Sequence, residues 1–271
     1  MMKSKNISAW EKVEIARNPK RNIAIDYIKN IFDDFIELHG DRNFKDDKSI
    51  VCGLGRIGKQ NFTIIAQTKG KTVKENIERN FGMPNPEGYR KAVRFMKQAN
   101  KFNRPVITFI DTKGAYPGIN AEERGQGEAI AKSMFEMAKL RVPTIAIVIG
   151  EGSSGGALAI GLANKVLMLE NAIYSILSPE GYSSILWKDS SRYKEAAEKM
   201  KLTSSDLYKL KVIDMVIKEP NGKPEDVLKS ISINLKEIIL KELKELNKLS
   251  KDEIVKERYN KFRHMGDFIQ N

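Results

Sequence analysis

The chain has 271 residues, of which 41% are hydrophobic and 30% charged, and its formal net charge is +12 at pH 7. This balance is typical of a folded globular protein and excludes an intrinsically disordered chain. A single cysteine, Cys52, excludes an intrachain disulfide, and with only His39 and His264 beside it we expect no metal site in this chain.

Targeting signals are not apparent in the sequence. The first ten residues, "MMKSKNISAW", lack the apolar core of a signal peptide. No apolar stretch approaches the roughly 20 residues that a membrane-spanning helix needs. We therefore expect a cytoplasmic protein that makes no membrane contact.

Helical spacing dominates the N-terminal part of the chain. Residues 10–39 carry apolar side chains three and four positions apart, as in "AIDYIKNIFDDFIEL", before a glycine in "HGD". We therefore predict an N-terminal helical arm over residues 1–40. Residues 49–68 then change to two strand-like runs joined by Gly-Lys-Gln-Asn, which predicts a β-hairpin.

From about Pro84 the chain alternates between helical and strand patterns. The order is "PEGYRKAVRFMKQANKF", "PVITFID", "AEERGQGEAIAKSMFEMAKL", "PTIAIVI", "GGALAIGLA" and "KVLML". Short apolar strands without alternating polar residues are typical of a sheet that helices cover on both faces. The predicted fold class is therefore α/β, with one catalytic core over residues 41–222.

The C-terminal segment, residues 223–271, interleaves lysines and glutamates with apolar positions at helical spacing. This pattern predicts solvated amphipathic helices. An RNA-binding face is the alternative interpretation of the positive charge. Because no aromatic platform or recognised nucleic-acid module accompanies the charge, we expect no nucleic-acid partner.

Two glycine-rich loops follow two of the predicted strands. "DTKGAYPG" follows "PVITFI", and "GEGSSGG" follows "PTIAIVI". Turn formation alone would explain Gly114, Pro117 and Gly118. Two such loops on consecutive strands instead indicate one ligand site, because ligands bind at strand ends in α/β sheets.

Three chemistries compete for the second loop. A Walker A phosphate loop is excluded because Gly156 is followed by Ala157 and not by lysine. A nucleophile elbow matches G-x-S-x-G with Ser154 as nucleophile, although His264 is the sole downstream histidine. An oxyanion hole needs no nucleophile: Gly155 and Gly156 would present two backbone N–H groups at the start of a helix and stabilise an enolate.

Long motifs make the chain resemble the alpha subunits of bacterial acetyl-coenzyme A carboxylase carboxyltransferase. These motifs are "NFGMPNPEGYRKAVRFMKQANKF", "PVITFIDTKGAYPGINAEERGQGEAIAKSM", "VPTIAIVIGEGSSGGALAIG" and "SPEGYSSILWKD", from Asn80 to about Asp189. The resemblance implies a ClpP/crotonase-type fold, a spiral of ββα units, with the helical arm and C-terminal helices added. It also implies an activity, the transfer of a carboxyl group from carboxybiotin to acetyl-CoA to give malonyl-CoA for fatty acid synthesis.

The same resemblance implies the site residues. Gly155 and Gly156 correspond to the oxyanion hole for the ureido oxygen of biotin. The implied substrate-binding positions are Phe81, Gly82, Gly114, Ala115, Tyr116, Pro117, Gly118, Gly152, Ser153 and Ser154. The sequence departs from the family pattern at three positions, with Lys113 for proline, Ser153 for glycine and Tyr182 for cysteine.

Partners and cofactors are likewise implied by the resemblance. Carboxybiotin is carried on a separate biotin carboxyl carrier protein, and ATP is used only by the biotin carboxylase component. A beta subunit with a zinc ribbon holds most of acetyl-CoA, and two alpha and two beta chains form a heterotetramer. A carboxyltransferase or decarboxylase subunit for another acyl-CoA stays an alternative, because the acyl pocket lies largely on the partner.

Overall fold

A computed structural model describes residues 7–266, and an eight-stranded sheet runs through this part of the chain. The strands are β1 (Asp34–Glu37), β2 (Ile50–Ile57), β3 (Gln60–Gln67), β4 (Val106–Thr112), β5 (Thr144–Ser153), β6 (Lys165–Leu169), β7 (Ile173–Ser175) and β8 (Met215–Ile217). Their order is β1-β2-β3-β4-β5-β6-β8, and β7 pairs with β5. The β1–β2 and β2–β3 pairs are antiparallel, and the other strand pairs are parallel.

Helices connect most of these strands. They are α1 (Ala9–Arg17), α2 (Ala24–Ile31), α3 (Val73–Glu78), α4 (Pro86–Lys101), α5 (Ile119–Glu123), α6 (Gln126–Ala138), α7 (Ser154–Leu158), α8 (Pro179–Trp187), α9 (Tyr193–Lys199), α10 (Ser204–Lys209), α11 (Pro224–Leu246) and α12 (Lys251–Arg263). Short 3₁₀ turns occur at Asn80–Gly82 and Ser190–Arg192. Within residues 7–266, none of the helices combines the length and the apolar character that crossing a bilayer requires.

The parallel strands β4 and β5 lie at the centre of the core. Every residue of both strands is buried, as expected for a sheet that helices cover. Helices α4 and α6 pack together, and α4 also lies against β2 and β3, while α2 packs on α11 and contacts β3 and β4. One continuous hydrophobic cluster joins these elements, so the strand ends are held in a fixed arrangement.

The predicted hairpin over residues 49–68 is confirmed as β2 and β3. The strands pair from Ile50 opposite Gln67 to Ile57 opposite Gln60. The turn between the strands is therefore two residues long, and its first residue, Gly58, has a φ of 59°. The glycine supplies the left-handed conformation that such a turn requires.

The helical prediction for residues 10–39 is wrong in its last part. Asp34–Glu37 form β1 at the edge of the sheet, antiparallel to β2. Helix α2 stops because Phe32 adopts an extended conformation, and the Asp33 amide then donates to the Arg56 carbonyl over 2.8 Å. Pairing with β2 outweighs the helical spacing of the side chains, a tertiary effect that local periodicity does not encode. The domain division at residue 40 stays a prediction.

Two further boundaries differ from the sequence pattern. Gly125, with a φ of 79°, separates α5 from α6 in the segment predicted as one helix. Residues 150–153, predicted as loop, extend β5 because Glu151, Gly152 and Ser153 pair with β7. The C-terminal helical prediction is confirmed by α11 and α12 for the described residues, while residues 267–271, like residues 1–6 of the arm, lie outside them.

Candidate functional site

The two glycine-rich segments lie against each other at the ends of β4 and β5. Thr112 pairs with Gly152, so the loop after β4 and the turn after β5 leave the sheet side by side. A Cβ atom built on Gly156 would lie 2.8 Å from both the Gly114 carbonyl carbon and the Ala115 amide nitrogen. Only glycine allows this approach of two backbone segments, so the glycine at 156 sets the spacing between them.

The turn after β5 is sharp and carries a left-handed residue. Ser153 is extended, with φ −122° and ψ 134°, whereas Ser154 has a φ of 58° and begins α7. The first amides of a helix lack intrahelical acceptors. Within residues 7–266, the Gly155 and Gly156 amides also donate no hydrogen bond to another element. Two backbone donors are therefore available to an external oxygen.

The loop after β4 carries five predicted substrate-binding residues, of which Gly114 and Ala115 lie against Gly156. Gly114 has a φ of 131° and Pro117 is exposed. The Tyr116 amide donates to the Pro84 carbonyl over 3.0 Å, and a Cβ on Gly118 would meet the Tyr116 ring at 2.4 Å. Within the described chain, the Ala115 amide donates no hydrogen bond, so it forms a third donor near Gly156.

Phe81 and Gly82 lie at the end of β4 and belong to a strained turn. Asn80, Phe81 and Gly82 have φ values of 49°, 54° and 79° in succession. The Gly82 carbonyl accepts a hydrogen bond from Thr112 Oγ1 over 2.7 Å. Residues with strained backbone conformations are common at functional sites. Here the strained turn holds Phe81 at a cleft of about 240 Å³, which Lys113 also lines.

A second cleft, of about 410 Å³, opens on the other loop at Ser154 and Gly155. Its remaining lining is mostly apolar and comprises Leu158, Gly161, Val166, Tyr174, Ser175, Ile176, Leu207, Val212, Phe262 and Met265. Volume and lining are those of a small-molecule site. The sequence analysis missed the contribution of Phe262 in α12 and of Met265 just after it, and their i, i+3 apolar spacing was the only signal for it.

The roots of the two loops are joined by a buried ion network. Lys69 Nζ lies 2.8 Å from Asp111 Oδ1 in β4 and 3.2 Å from Glu151 Oε1 in β5. Arg17 Nε donates to Glu151 Oε2 over 2.9 Å. Burial alone would lower the pKa of Lys69, but the two carboxylates outweigh it and raise that pKa. The sequence analysis missed this network, since Lys69 stands outside both motifs.

The hydrolase alternative finds no support at Ser154. The residue is exposed in a nucleophile-elbow conformation, but within residues 7–266 no side-chain hydrogen bond links it to a base. His264 Nδ1 instead lies 2.6 Å from the carbonyl oxygen of Asn260, four residues earlier in the chain. Among the described residues there is also no group of His, Cys, Asp and Glu placed to hold a metal ion.

The departures from the family pattern lie at different depths. Lys113 is exposed at the cleft beside Phe81, whereas Ser153 is buried as the last residue of β5. Tyr182 packs edge-on against Trp187 within α8, with ring centroids 5.5 Å apart. Side chains at these three positions therefore leave the contact between Gly156 and Ala115 intact.

Comparison with known proteins gives sequence matches over nearly the whole chain. The model of a family described as acetyl co-enzyme A carboxylase carboxyltransferase-like matches residues 2–266. A Staphylococcus haemolyticus protein named acetyl-coenzyme A carboxylase carboxyl transferase subunit alpha is 57% identical over 265 residues, or 98% of this chain and 84% of that protein. A Staphylococcus aureus protein of the same name is 56% identical with the same coverage.

Solved structures show the same fold at lower identity. Transcarboxylase 12S, with methylmalonyl-coenzyme A and methylmalonic acid bound, superposes with a TM-score of 0.64 at 20% identity, covering 87% of this chain and 46% of that chain. A Pseudomonas malonate decarboxylase hetero-tetramer in complex with coenzyme A gives 0.65 at 15% identity, covering 79% and 85%. The likeness confirms the crotonase-type α/β fold.

Proposed function

Because the chain belongs to the acetyl-coenzyme A carboxylase carboxyltransferase-like family, we propose that it is the alpha subunit of that enzyme. With a beta subunit it transfers the carboxyl group of carboxybiotin, carried on the biotin carboxyl carrier protein, to acetyl-CoA. The product is malonyl-CoA, for fatty acid synthesis in the cytoplasm. ATP is consumed only by the biotin carboxylase component.

One observation carries the chemistry of this proposal. The Gly155 and Gly156 amides have no acceptor in another element within residues 7–266, and Gly156 lies against the Ala115 amide. Backbone donors of this kind stabilise an oxygen that gains negative charge during a reaction. The apolar cleft beside Ser154 and Gly155 suits an uncharged ring whose single oxygen points at the amides.

The proposed mechanism assigns this chain an electrostatic role. Carboxybiotin, when bound, would supply the carboxyl group and the base for the acetyl methyl proton. The amides of Gly155 and Gly156 bind the ureido oxygen and stabilise its negative charge. The enolate of acetyl-CoA then attacks CO₂, so carbon and charge balance without a covalent bond to this chain. The hydroxyl of Ser154 has no part in these steps.

The composite site requires a second chain in this proposal. Two oxygens gain negative charge, and the beta subunit, a zinc-ribbon chain, supplies the hole for the thioester oxygen. Exposed apolar side chains at the site support a covering partner: Ile119 is 79% and Ile176 is 76% exposed. A heterotetramer of two alpha and two beta chains satisfies this need.

We also propose that the N-terminal arm and the C-terminal helices serve assembly, with α1 of the arm packed in addition on its own chain. Val13 and Ala16 of α1 pack with Ile173 and Leu202 in a cluster of the same chain. Helix α11 still exposes Ile233, at 54%, and Leu240, at 39%. These side chains are seven positions apart and so lie on one helical face, which supports a role of α11 in assembly.

Reconstitution tests the proposal. The purified chain alone is expected to form no malonyl-CoA from carboxybiotin and acetyl-CoA, and activity is expected when the beta subunit is added. Formation of malonyl-CoA by the chain alone would contradict the composite site. Preference for another acyl-CoA in a substrate panel would select the alternative carboxyltransferase or decarboxylase, and labelling of Ser154 by a fluorophosphonate probe would select the hydrolase.

A further inference from the structure

Buried polar atoms without partners concentrate beneath the two loops. Five such side-chain atoms occur within residues 7–266, on Gln67, Tyr89, Gln126, Ser232 and Arg258. The first three belong to residues that touch the loop after β4 or the turn after β5. An unpartnered buried polar group destabilises the folded state, because it has lost its hydrogen bonds to water without replacing them. A cost repeated three times at one place indicates that these side chains perform a task there.

Gln67 anchors the turn after β5. It is the last residue of β3 and is fully buried, and its Nε2 donates to the Gly156 carbonyl over 2.7 Å. Its own Oε1 has no partner. The side chain therefore contributes one hydrogen bond, directed at the residue that contacts Ala115. The first turn of α7 is thereby tied to the sheet.

Gln126 has the same relation to the loop after β4. It is the first residue of α6 and 3% exposed, and its Nε2 donates to the carbonyls of Tyr116 and Pro84, each over 2.9 Å. Its Oε1 is also without a partner. Each loop is thus held by one buried glutamine that uses its amide nitrogen and leaves its oxygen unpaired.

Tyr89 lies between the two anchors. Its side chain is fully buried in α4, and its Oη lies 2.9 Å from the position that a Cβ on Gly156 would take. The Ala115 amide nitrogen lies 2.8 Å from that same position. The ring therefore packs under the junction of the two loops and limits their movement toward the core.

We propose that Gln67 and Gln126 are positioning residues, two amide clamps that turn one carbonyl of each loop inward and fix the spacing between the Gly156 and Ala115 amides. A methionine of similar size would fill the same space without the unpartnered oxygen. The clamp deepens the proposed function and rests on it for its kinetic consequence. Its effect on the loop itself does not depend on the reaction.

Gln67→Met and Gln126→Met test the clamp, with Thr108→Val as the matched control. Thr108 is fully buried and its Oγ1 donates to the Ile160 carbonyl over 2.8 Å, so its replacement removes a comparable bond outside the two loops. In the reconstituted enzyme we expect each glutamine variant to lower kcat about 10–100-fold, the scale of misplaced catalytic groups. The KM for carboxybiotin is expected to change less than about twofold, because the donors themselves remain.

Amide hydrogen exchange of residues 150–157, a range that excludes Ile160, gives a second readout in the isolated chain. Exchange is expected to rise about tenfold or more in Gln67→Met and to stay unchanged in Thr108→Val. Wild-type kcat together with wild-type exchange in both glutamine variants would overturn the clamp. If the reconstituted wild-type enzyme transfers no carboxyl group, the proposed function is refuted. The hydrogen-exchange rates of the variants then test the clamp by themselves. If Gln67→Met does not fold, Gln67→Asn, one methylene too short to reach Gly156, is measured in its place.

Discussion

The turn after β5 and the loop after β4 meet at one contact but are built in different ways. In the turn, Gly156 is buried against the backbone of the loop, and Gln67 holds its carbonyl. In the loop, Lys113 and Pro117 are exposed, and a Cβ on Gly114 would meet no atom within 4 Å. Gly156 is thus packed closely against the backbone of the loop, whereas the loop itself borders solvent.

This difference separates two uses of glycine. Gly156 is required because its α-carbon touches another backbone, whereas Gly114 is required because its φ of 131° suits no other residue well. The sequence motifs alone do not distinguish these two reasons for a glycine. We therefore expect the turn to be intolerant of added volume and the loop to be tolerant of changes that preserve its conformation, and substitutions at four positions, two of them with matched controls, test this contrast.

Gly156→Val is expected to have the largest effect. Its Cβ would lie within 2.8 Å of backbone atoms of the loop, so the two segments must separate. We expect kcat to fall about 10²–10³-fold, and the free energy of unfolding to fall by about 1–3 kcal/mol. Reconstituted turnover and urea denaturation measure the two losses.

Gly155→Ala is the matched control, because its Cβ would meet only Ile130 Cγ2, at 3.4 Å. Its kcat is expected to fall less than about tenfold. Equal losses of kcat in both variants would show that contact with the loop is not the reason for the loss.

Cys52 gives a probe for the integrity of the core in these variants. It is fully buried, and burial raises its pKa to about 12, so a thiol reagent at pH 8 modifies it only when the core opens.

Lys69→Met is expected to have the next largest effect, because it breaks the bridge between the two loop roots. Asp111 and Glu151, whose side chains are 5% and 2% exposed, lose a shared cation. Such losses cost about 3–5 kcal/mol, and the 18% exposure of the Lys69 side chain places this one at the lower end. Thermal denaturation measures it. Lys71→Met, which removes an exposed cation, serves as control, and equal destabilisation by the two would deny the bridge a role.

Ser154→Ala is expected to retain kcat within about threefold, because the oxyanion donors are backbone groups. Ser154→Gly should do the same and should leave the free energy of unfolding unchanged or raise it by up to about 1 kcal/mol, since the φ of 58° strains a side chain here. Turnover and denaturation are measured in parallel. Loss of turnover in both variants, with the fold intact, would reinstate the serine as a nucleophile.

Lys113→Pro is expected to have the smallest effect. It restores the residue common in the family at an exposed position, and it removes conformational freedom from the unfolded chain. A gain of about 0.4–1 kcal/mol in the free energy of unfolding, with turnover within about twofold, would agree with a loop that tolerates substitution. A large loss of turnover would show instead that the Lys113 ammonium acts at the cleft beside Phe81.

Local pattern predicted much of this fold, and its failures have a common cause. The apolar runs of β4 and β5 and the periodicity of α4 are written in consecutive residues, so they were predictable. The strand at Asp34–Glu37 depends on pairing with β2, and the extension of β5 depends on β7, which no local window contains.

The candidate site divides in the same way. Gly155, Gly156 and the loop after β4 stand in sequence motifs, so the family resemblance already points to them. Gln67, Lys69 and Gln126 stand outside any motif, and their contacts with the loops span many residues of sequence. Only the folded chain shows that these side chains converge on the same place.

The contact between Gly156 and Ala115 has a consequence for inhibitor resistance. Because the donors are backbone amides, exchanging their own side chains does not remove them, and exchanges at Gln67 or Gln126 that shift their spacing are expected to lower turnover as well. An inhibitor that binds through the amides of Gly155, Gly156 and Ala115 therefore contacts backbone groups, which side-chain substitutions leave in place. Escape mutations should arise in the apolar cleft wall, at positions such as Phe262 and Met265, and not at the donors.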